Sequence, residues 1–345
     1  MGNSNGHDGP VNSVAFFGTN HAITGSDDAT IKIWNIETGK CIKTLEGSKF
    51  ETSPVSVVAV VSERDKLIVS GSKSGTMKIW YIGTYIADNS LAKKSKTRFN
   101  NLLKYVKREE LSPSQILALG YQVKHREFSV NSLAINNRGT ILSGWEDGRL
   151  YTKEIDDNGT EHDYMIPTHY GNPRVAIHDE AVTSVAMDET YIVSGSADKT
   201  IGIWKADKGK FVKKLKGHKG SVRSVIINGN RIVSGSGDKT IKIWNIYTGE
   251  CIRTLTGHGG PVNSVAMNET YIVSGSVDKT VRVWDANTGK VVYDITSHSS
   301  PVNSVAINGN CVISGSDDET IAVSYLPERS ETKSEAKNNS IKLKL

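Results

Sequence analysis

Apolar and polar positions recur along this chain in short alternating runs. Val262-Asn-Ser-Val-Ala-Met267 alternates in part and is rich in β-branched residues, and Asn268-Glu-Thr follows as a turn. Tyr271-Ile-Val-Ser-Gly-Ser276 comes next, then a second turn at Val277-Asp278-Lys279. Thr280-Val-Arg-Val-Trp284 alternates with its β-branched residues on one face, Asn287-Thr-Gly289 turns again, and Val291-Val-Tyr-Asp-Ile295 closes the unit. Short alternating runs bounded by Gly, Asn and Asp predict four antiparallel strands in a meander, here lettered a to d from the inside outward. Elsewhere the first turn is Asn228-Gly229 or Asn308-Gly309, a pair that supplies the positive φ of a two-residue hairpin.

The unit repeats. His178, His218, His258 and His298 stand 40 residues apart, and Trp204, Trp244 and Trp284 keep the same step. A period in this range means one supersecondary unit stacked on its copies. A single four-stranded sheet cannot bury both faces, and copies arranged around an axis solve that while leaving few open edges. Units begin near His7, Ser48, His125, His178, His218, His258 and His298. The expected fold is therefore all-β, a single seven-bladed β-propeller of four-stranded antiparallel blades. The blades fall at approximately 7–47, 48–123, 124–165, 178–216, 218–256, 258–296 and 298–345.

Gly-His, then Ser-Gly-Ser-x-Asp, then Trp six residues on, resembles the WD-repeat family. The resemblance covers about residues 7–326 apart from two insertions, and is most specific in units 1, 4, 5 and 6. It implies a structural network in which the turn Asp accepts from His, His reaches a strand-b hydroxyl, and that hydroxyl meets the indole N–H. The sets are His7, Thr24, Asp28 and Trp34; His178, Ser194, Asp198 and Trp204; His218, Ser234, Asp238 and Trp244; and His258, Ser274, Asp278 and Trp284. Ser, His and Asp together also suggest nucleophilic hydrolysis, but an enzyme needs that arrangement once, beside a substrate pocket. Recurrence in four units points to buried polar groups satisfying one another. No catalytic residue, cofactor or metal is assigned, and a site from His162, His169 and His178 fits no standard ligand spacing.

Departures from the repeat stand out. Unit 2 has Ser48 for His and Ser74 for Asp; unit 3 has Lys153 for Trp and carries Trp145 in place of the second Ser; unit 7 has Ser324 for Trp. Drift and softened or reshaped blades both explain such changes. The resemblance places partner contacts on the rim formed by the d–a loops and b–c turns. The residues after the first valine of strand a are Asn12, Ser56, Asn131, Thr183, Arg223, Asn263 and Asn303, and the turn set includes Asp27, Lys73, Glu146 and Asp317. Neither set contains the aromatic anchors that dominate many interfaces. Lys199, Lys219, Arg223, Lys239 and Lys279 make blades 4 to 6 basic there, suited to an acidic or phosphorylated peptide, although Asp-Lys-Thr also reads as the ordinary turn of the repeat. A d–a loop over 166–177 is about 11 residues longer than the 40-residue step allows, and offers Tyr170 and Arg174 as anchors.

A second interruption, residues 86–118, adds about 33 residues to blade 2 between strand c and a strand d expected at Leu119–Val123. Phe99, Leu102, Leu103 and Val106 form the stripe of a short amphipathic helix whose other side, with Lys104 and Lys107, is basic. It could pack on the propeller, dock a partner, or touch anionic lipid or nucleic acid. Nucleic acid is disfavoured, because few aromatics accompany the lysines. Residues 327–339 read as a polar linker, and 341–345 as a strand that closes blade 7.

Composition narrows the class. Charged residues are 23%, aromatics 7% and the formal charge is +5, ordinary for a soluble protein. There is no apolar run of membrane length and no signal-peptide core at the start. Three cysteines without metal-type spacing suggest a reducing, cytoplasmic setting, with the nucleus not excluded. The expected role is a non-enzymatic scaffold or adaptor, a monomer within a complex, that binds proteins or peptides rather than a small-molecule substrate. The alternative is the substrate receptor of a ubiquitin ligase, reading an acidic or phosphorylated peptide on the rim.

Overall fold

The computed structural model describes residues 6–46, 53–62, 67–82, 123–124, 128–136, 140–155, 161–165, 178–207, 209–327 and 340–343. Blade 1 consists of β1 (Val11–Phe17), β2 (His21–Ser26), β3 (Thr30–Asn35) and β4 (Cys41–Glu46). Blade 2 holds β5 (Val55–Ser62), β6 (Leu67–Ser72), β7 (Thr76–Tyr81) and β8 (Val123–Lys124). In blade 3 the strands are β9 (Val130–Ile135), β10 (Ile141–Trp145), β11 (Leu150–Ile155) and β12 (Glu161–Met165). Blade 4 follows with β13 (Val182–Met187), β14 (Tyr191–Ser196), β15 (Thr200–Lys205) and β16 (Phe211–Lys216). Blade 5 is β17 (Val222–Asn228), β18 (Arg231–Ser236), β19 (Ile241–Asn245) and β20 (Cys251–Leu255). Blade 6 is β21 (Val262–Met267), β22 (Tyr271–Ser276), β23 (Val281–Asp285) and β24 (Val291–Ile295). Blade 7 is β25 (Val302–Asn308), β26 (Cys311–Ser316), β27 (Ile321–Tyr325) and β28 (Ser340–Leu343). Every sheet is a four-stranded meander in chain order, so the fold is an all-β seven-bladed propeller.

The core is divided into seven apolar clusters, and each lies between two neighbouring blades. Between blades 4 and 5, for example, Val193, Ile201, Ile203 and Leu215 meet Val222, Val225, Ile232 and Trp244. One blade alone would leave both its faces wet, which is why the repeat must stack. Strand b carries a glycine at each junction because the next blade comes too close for a side chain. A Cβ on Gly235 would stand 2.7 Å from Cγ1 of Val262, and one on Gly315 would stand 2.5 Å from Cγ1 of Val11. The second contact joins blade 7 to blade 1, so the ring closes with the same packing that builds its other junctions.

Serine side chains add a polar belt near the axis. Ser13 Oγ accepts from the Val58 amide at 3.1 Å, Ser132 from Val185 at 2.9 Å, and Ser184 from Val225 at 3.0 Å. Ser224 accepts from Val265 at 3.0 Å, Ser264 from Val305 at 3.1 Å, and Ser304 from Val14 at 3.1 Å. Blade 2 has Val57 at this place, so the junction of blades 2 and 3 lacks the bond.

Several expected elements fall partly or wholly outside the described residues. Strand d of blade 2, expected at Leu119–Val123, is described at Val123–Lys124, where Val123 faces Met77 and Lys124 faces Thr76 of β7; residues 119–122 lie outside the described residues. The register follows the two residues that face the start of β7. The amphipathic stripe over 99–106, with Phe99, Leu103, Lys104 and Lys107, lies outside the described residues, as does most of the 327–339 linker. Beyond that linker, β28 pairs antiparallel with β27 from Ser324↔Ser340 to Ile321↔Leu343.

Candidate functional site

The repeated polar residues converge at the top of each blade. In blade 1, His7 Nδ1 lies 2.7 Å from Asp28 Oδ2, His7 Nε2 lies 2.7 Å from Thr24 Oγ1, and Trp34 Nε1 donates to Thr24 Oγ1 at 2.8 Å. Blade 5 repeats this with His218 to Asp238 at 2.8 Å, His218 to Ser234 at 2.7 Å and Trp244 to Ser234 at 2.8 Å. In blade 6, His258 reaches Asp278 and Ser274, both at 2.8 Å, and Trp284 donates to Ser274 at 2.9 Å. The donors and acceptors run in one direction when the imidazole is neutral. Nδ1–H donates to the carboxylate, the hydroxyl donates to Nε2, and the indole donates to the hydroxyl. Threonine completes each carboxylate: Thr240 Oγ1 donates to Asp238 Oδ1 at 2.6 Å, and Thr280 to Asp278 likewise.

Blade 4 departs from the expected four-membered set. His178 still reaches Asp198 at 3.0 Å and Ser194 at 2.6 Å, but Trp204 Nε1 is buried without a hydrogen-bond partner. The cause is Gly202, which stands where blades 1, 5 and 6 have Lys32, Lys242 and Arg282. The indole has moved into the vacated space, since a Cβ on Gly202 would sit 2.2 Å from Trp204 Cη2. There it packs edge-on against Phe211, with ring centroids 5.7 Å apart. The cation of that cross-strand pair has moved to the facing residue, and Lys214 Nζ reaches Asp198 at 3.0 Å.

Blades 3 and 7 hold what the sequence reading missed. Trp145 comes from strand b instead of strand c, yet its Nε1 donates to Ser143 Oγ at 2.8 Å, the strand-b hydroxyl of that blade. It fills the junction with blade 2 that Lys153 leaves without an indole. In blade 7, His298 Nδ1 lies 3.1 Å from Asp318 and Nε2 lies 2.8 Å from Ser314, a three-membered network without Trp. The 40-residue step to His298 was the available signal. Blade 2 keeps only Trp80 to Ser70 at 2.9 Å, with a chain of hydroxyls through Ser72, Ser74 and Thr76 in place of the carboxylate.

On the rim, most residues after the first valine are occupied by the ring itself. Asn12 donates to the Val55 carbonyl at 3.0 Å, Ser56 to Val130 at 2.5 Å, Asn131 to Val182 at 2.9 Å, and Thr183 to Val222. Asn263 donates to Val302 at 2.9 Å and Asn303 to Val11 at 3.2 Å. Arg223 differs: it is exposed, and its guanidinium donates to Asn263 Oδ1 at 2.6 Å. Lys73 pairs with Asp27 at 2.8 Å, Glu146 accepts from the Ser129 amide at 3.3 Å, and Asp317 accepts from Asn303 at 2.7 Å. Lys239 is exposed at a left-handed φ of 70°. Tyr170 and Arg174 lie outside the described residues, as does His169, while both ring nitrogens of His178 are taken by Asp198 and Ser194.

The pattern of the WD domain, G-beta repeat, matches residues 2–35, 39–81, 174–205, 209–245, 249–285 and 289–323. The chain belongs to the WD-repeat family. Its six matched repeats leave most of blade 3, where Trp145 replaces the strand-c indole, outside the pattern. Among relatives, tipD of Dictyostelium discoideum is 31% identical over 210 residues, 61% of this chain and 28% of that protein. Nuclear distribution protein nudF of Emericella nidulans is 36% identical over 220 residues, covering 61% and 43%. Mitochondrial division protein 1 of Schizosaccharomyces pombe is 25% identical over 223 residues, covering 58% and 34%. The chain thus spans less than half the length of these curated relatives. A computationally designed protein, Ika8, superposes with a TM-score of 0.64 at 27% identity, covering 93% of this chain and 98% of that one.

Electrostatics in this WD-repeat ring fit a structural network. The five network histidines are 2–7% exposed. Burial pushes His218 and His258 below the ordinary histidine value, against the opposing pull of Asp238 and Asp278. Burial works against the charge on Asp28, Asp198, Asp238 and Asp278, but hydrogen bonds from histidine and threonine hold all four well below the usual carboxylate range. A neutral imidazole clamped between carboxylate and hydroxyl has the parts of a general base. It lacks access to a substrate, because the hydroxyl it would activate is itself buried: Thr24, Ser194, Ser234 and Ser274 are each 0% exposed.

Proposed function

We propose that this WD-repeat ring is a non-enzymatic scaffold that binds partner proteins or peptides on its faces. The observation that carries the reading is the burial of the repeated hydroxyls beneath their histidines, which ties these residues to the fold and leaves the exposed rim for recognition. Relatives named for processes as different as nuclear distribution and mitochondrial division support a ring with no single chemistry. Unpaired cysteines at 41, 251 and 311 support an intracellular setting.

A second reading, an acidic or phosphorylated peptide on the rim of blades 4 to 6, is favoured by one observation. In sequence each Asp-Lys turn is neutral, but the fold separates the pair. Asp198, Asp238 and Asp278 turn inward with side chains 6%, 11% and 15% exposed, while Lys199, Lys239 and Lys279 face water at left-handed φ. That sector is basic wherever partners approach it, the property a ubiquitin-ligase substrate receptor would use.

Affinity capture from lysate tests the function. The wild type is compared with an Arg223→Glu/Lys239→Glu variant and with a deletion of residues 89–115. Loss of a defined set of partners in either variant is expected. Identical capture by all three, together with measurable turnover of ester or peptide substrates by the wild type, would overturn the scaffold reading.

A further inference from the structure

The strongest charged surface is one that neither the polar networks nor the rim account for. Residues 205–216 hold six lysines against one aspartate, a net of +5 that equals the formal charge of the whole chain. They include β16, the outermost strand of blade 4, whose own sequence is Phe-Val-Lys-Lys-Leu-Lys. Three outer strands are nearly neutral and one is acidic: β4 has one Lys and one Glu, β20 one Arg, β24 one Asp, and β12 one Glu and one Asp.

Half of this charge is fixed by contacts within the ring. Lys205 Nζ lies 3.9 Å over the ring of Tyr191, Lys213 Nζ donates to the Tyr247 carbonyl at 2.7 Å, and Lys214 pairs with Asp198. The last two brace β16, against blade 5 and against the b–c turn of its own blade. Lys210 and Lys216 are exposed, and Val212 between them is 39% exposed. Lysines on an edge strand commonly serve to block unwanted pairing. That need is equal at every blade, and β4, β20 and β24 do not meet it with a lysine cluster.

β16 pairs on one side with β15 and, among the described residues, with no strand on the other. A braced edge with exposed cations and one exposed aliphatic side chain is complementary to an extended chain that alternates acidic and aliphatic residues. We propose that blade 4 accepts an acidic, extended segment of a partner protein as a fifth strand along β16. Main-chain hydrogen bonds along the outer edge of β16 hold the segment, Val212 meets an aliphatic side chain, and Lys210 and Lys216 select for carboxylates. The proposal rests on the scaffold reading and places a recognition site on the side of the ring, away from the top rim.

The test is calorimetric titration of the full chain with a short synthetic peptide alternating glutamate and valine. Binding is expected to weaken by about tenfold or more in a Lys210→Glu/Lys216→Glu variant, and with rising salt. A peptide N-methylated at alternate residues keeps its charge but cannot add as a strand, so it is expected to lose binding to a similar degree. Amide hydrogen exchange across β16 is expected to slow when the unmodified peptide binds. The two lysines lie outside the buried networks, and an unchanged melting temperature verifies that the variant folds. Equal binding by the variant, equal binding of the N-methylated peptide, or no binding at all overturns the proposal. So does lysine-dependent attachment to phosphatidylserine vesicles without peptide binding. If the lysine variant still captures the partners of the wild type, strand addition fails while the scaffold reading stands.

Discussion

A single residue decides how each blade spends its indole. Trp244 donates to Ser234, while Trp204, at the same place in its strand, lies over Gly202 with its N–H unpaired. Replacing Trp by Phe removes the same N–H and a similar volume in both blades, so the difference isolates the hydrogen bond. Trp204→Phe is expected to cost about 1–2 kcal/mol less than Trp244→Phe in urea unfolding, and equal losses would contradict the geometry. Proton linkage belongs to the same scale. His218 and His258 have folded values below the ordinary 6.5, so the unfolded chain takes up protons first as pH falls. Their contribution is complete above about 6.5 and declines below it. The four carboxylates, depressed from 3.8, act lower still, stabilising above that value and failing as pH drops through their folded values. Melting temperature is therefore expected to hold from neutral pH upward and to fall in two stages on acidification. A flat profile down to pH of about 5 would contradict the histidine assignment.

At the level of the element, strands and turns were legible because their chemistry is local. Tyr271–Ser276 and Val291–Ile295 occur where the alternation and turn residues put them. What could not be read was geometry that depends on a neighbour. Nothing in the string Ser-Gly-Trp says that Trp145 will fold back on its own Ser143 to replace an indole lost from the facing strand. The consequence of Gly202 was equally hidden, since it shows only when the indole and Lys214 are seen across the sheet. The serine belt has one interruption that is visible in sequence only in hindsight, Val57 among Ser13, Ser132, Ser184, Ser224, Ser264 and Ser304. The Leu133 amide stands where the others are bonded. Native-state hydrogen exchange is expected to be faster at Leu133 than at Val14, Val58, Val185, Val225, Val265 and Val305. Uniform protection would show that the missing serine has no effect on the junction.

For the whole molecule, stability comes from junctions rather than from blades. Seven interblade clusters, a glycine-valine contact at every junction and a nearly complete serine belt bind the ring, and the closure between blades 7 and 1 uses all three. In blades 1, 4, 5, 6 and 7 the buried histidine networks tie the entering loop to the b–c turn, so they brace the face proposed for partners. Blades 2 and 3, which lack complete networks, flank the junction without the serine bond, and this is the part of the ring expected to open first. The recognition sites proposed above use what the repeat does not: the rim of blades 4 to 6 and the lysine-rich edge of β16. The central claim is that the recurring Ser, His and Asp hold the ring together. Urea unfolding of His218→Ala tests it most directly. The account predicts a midpoint lowered by the equivalent of about 1–3 kcal/mol with the slope unchanged. A midpoint equal to that of the wild type would contradict it.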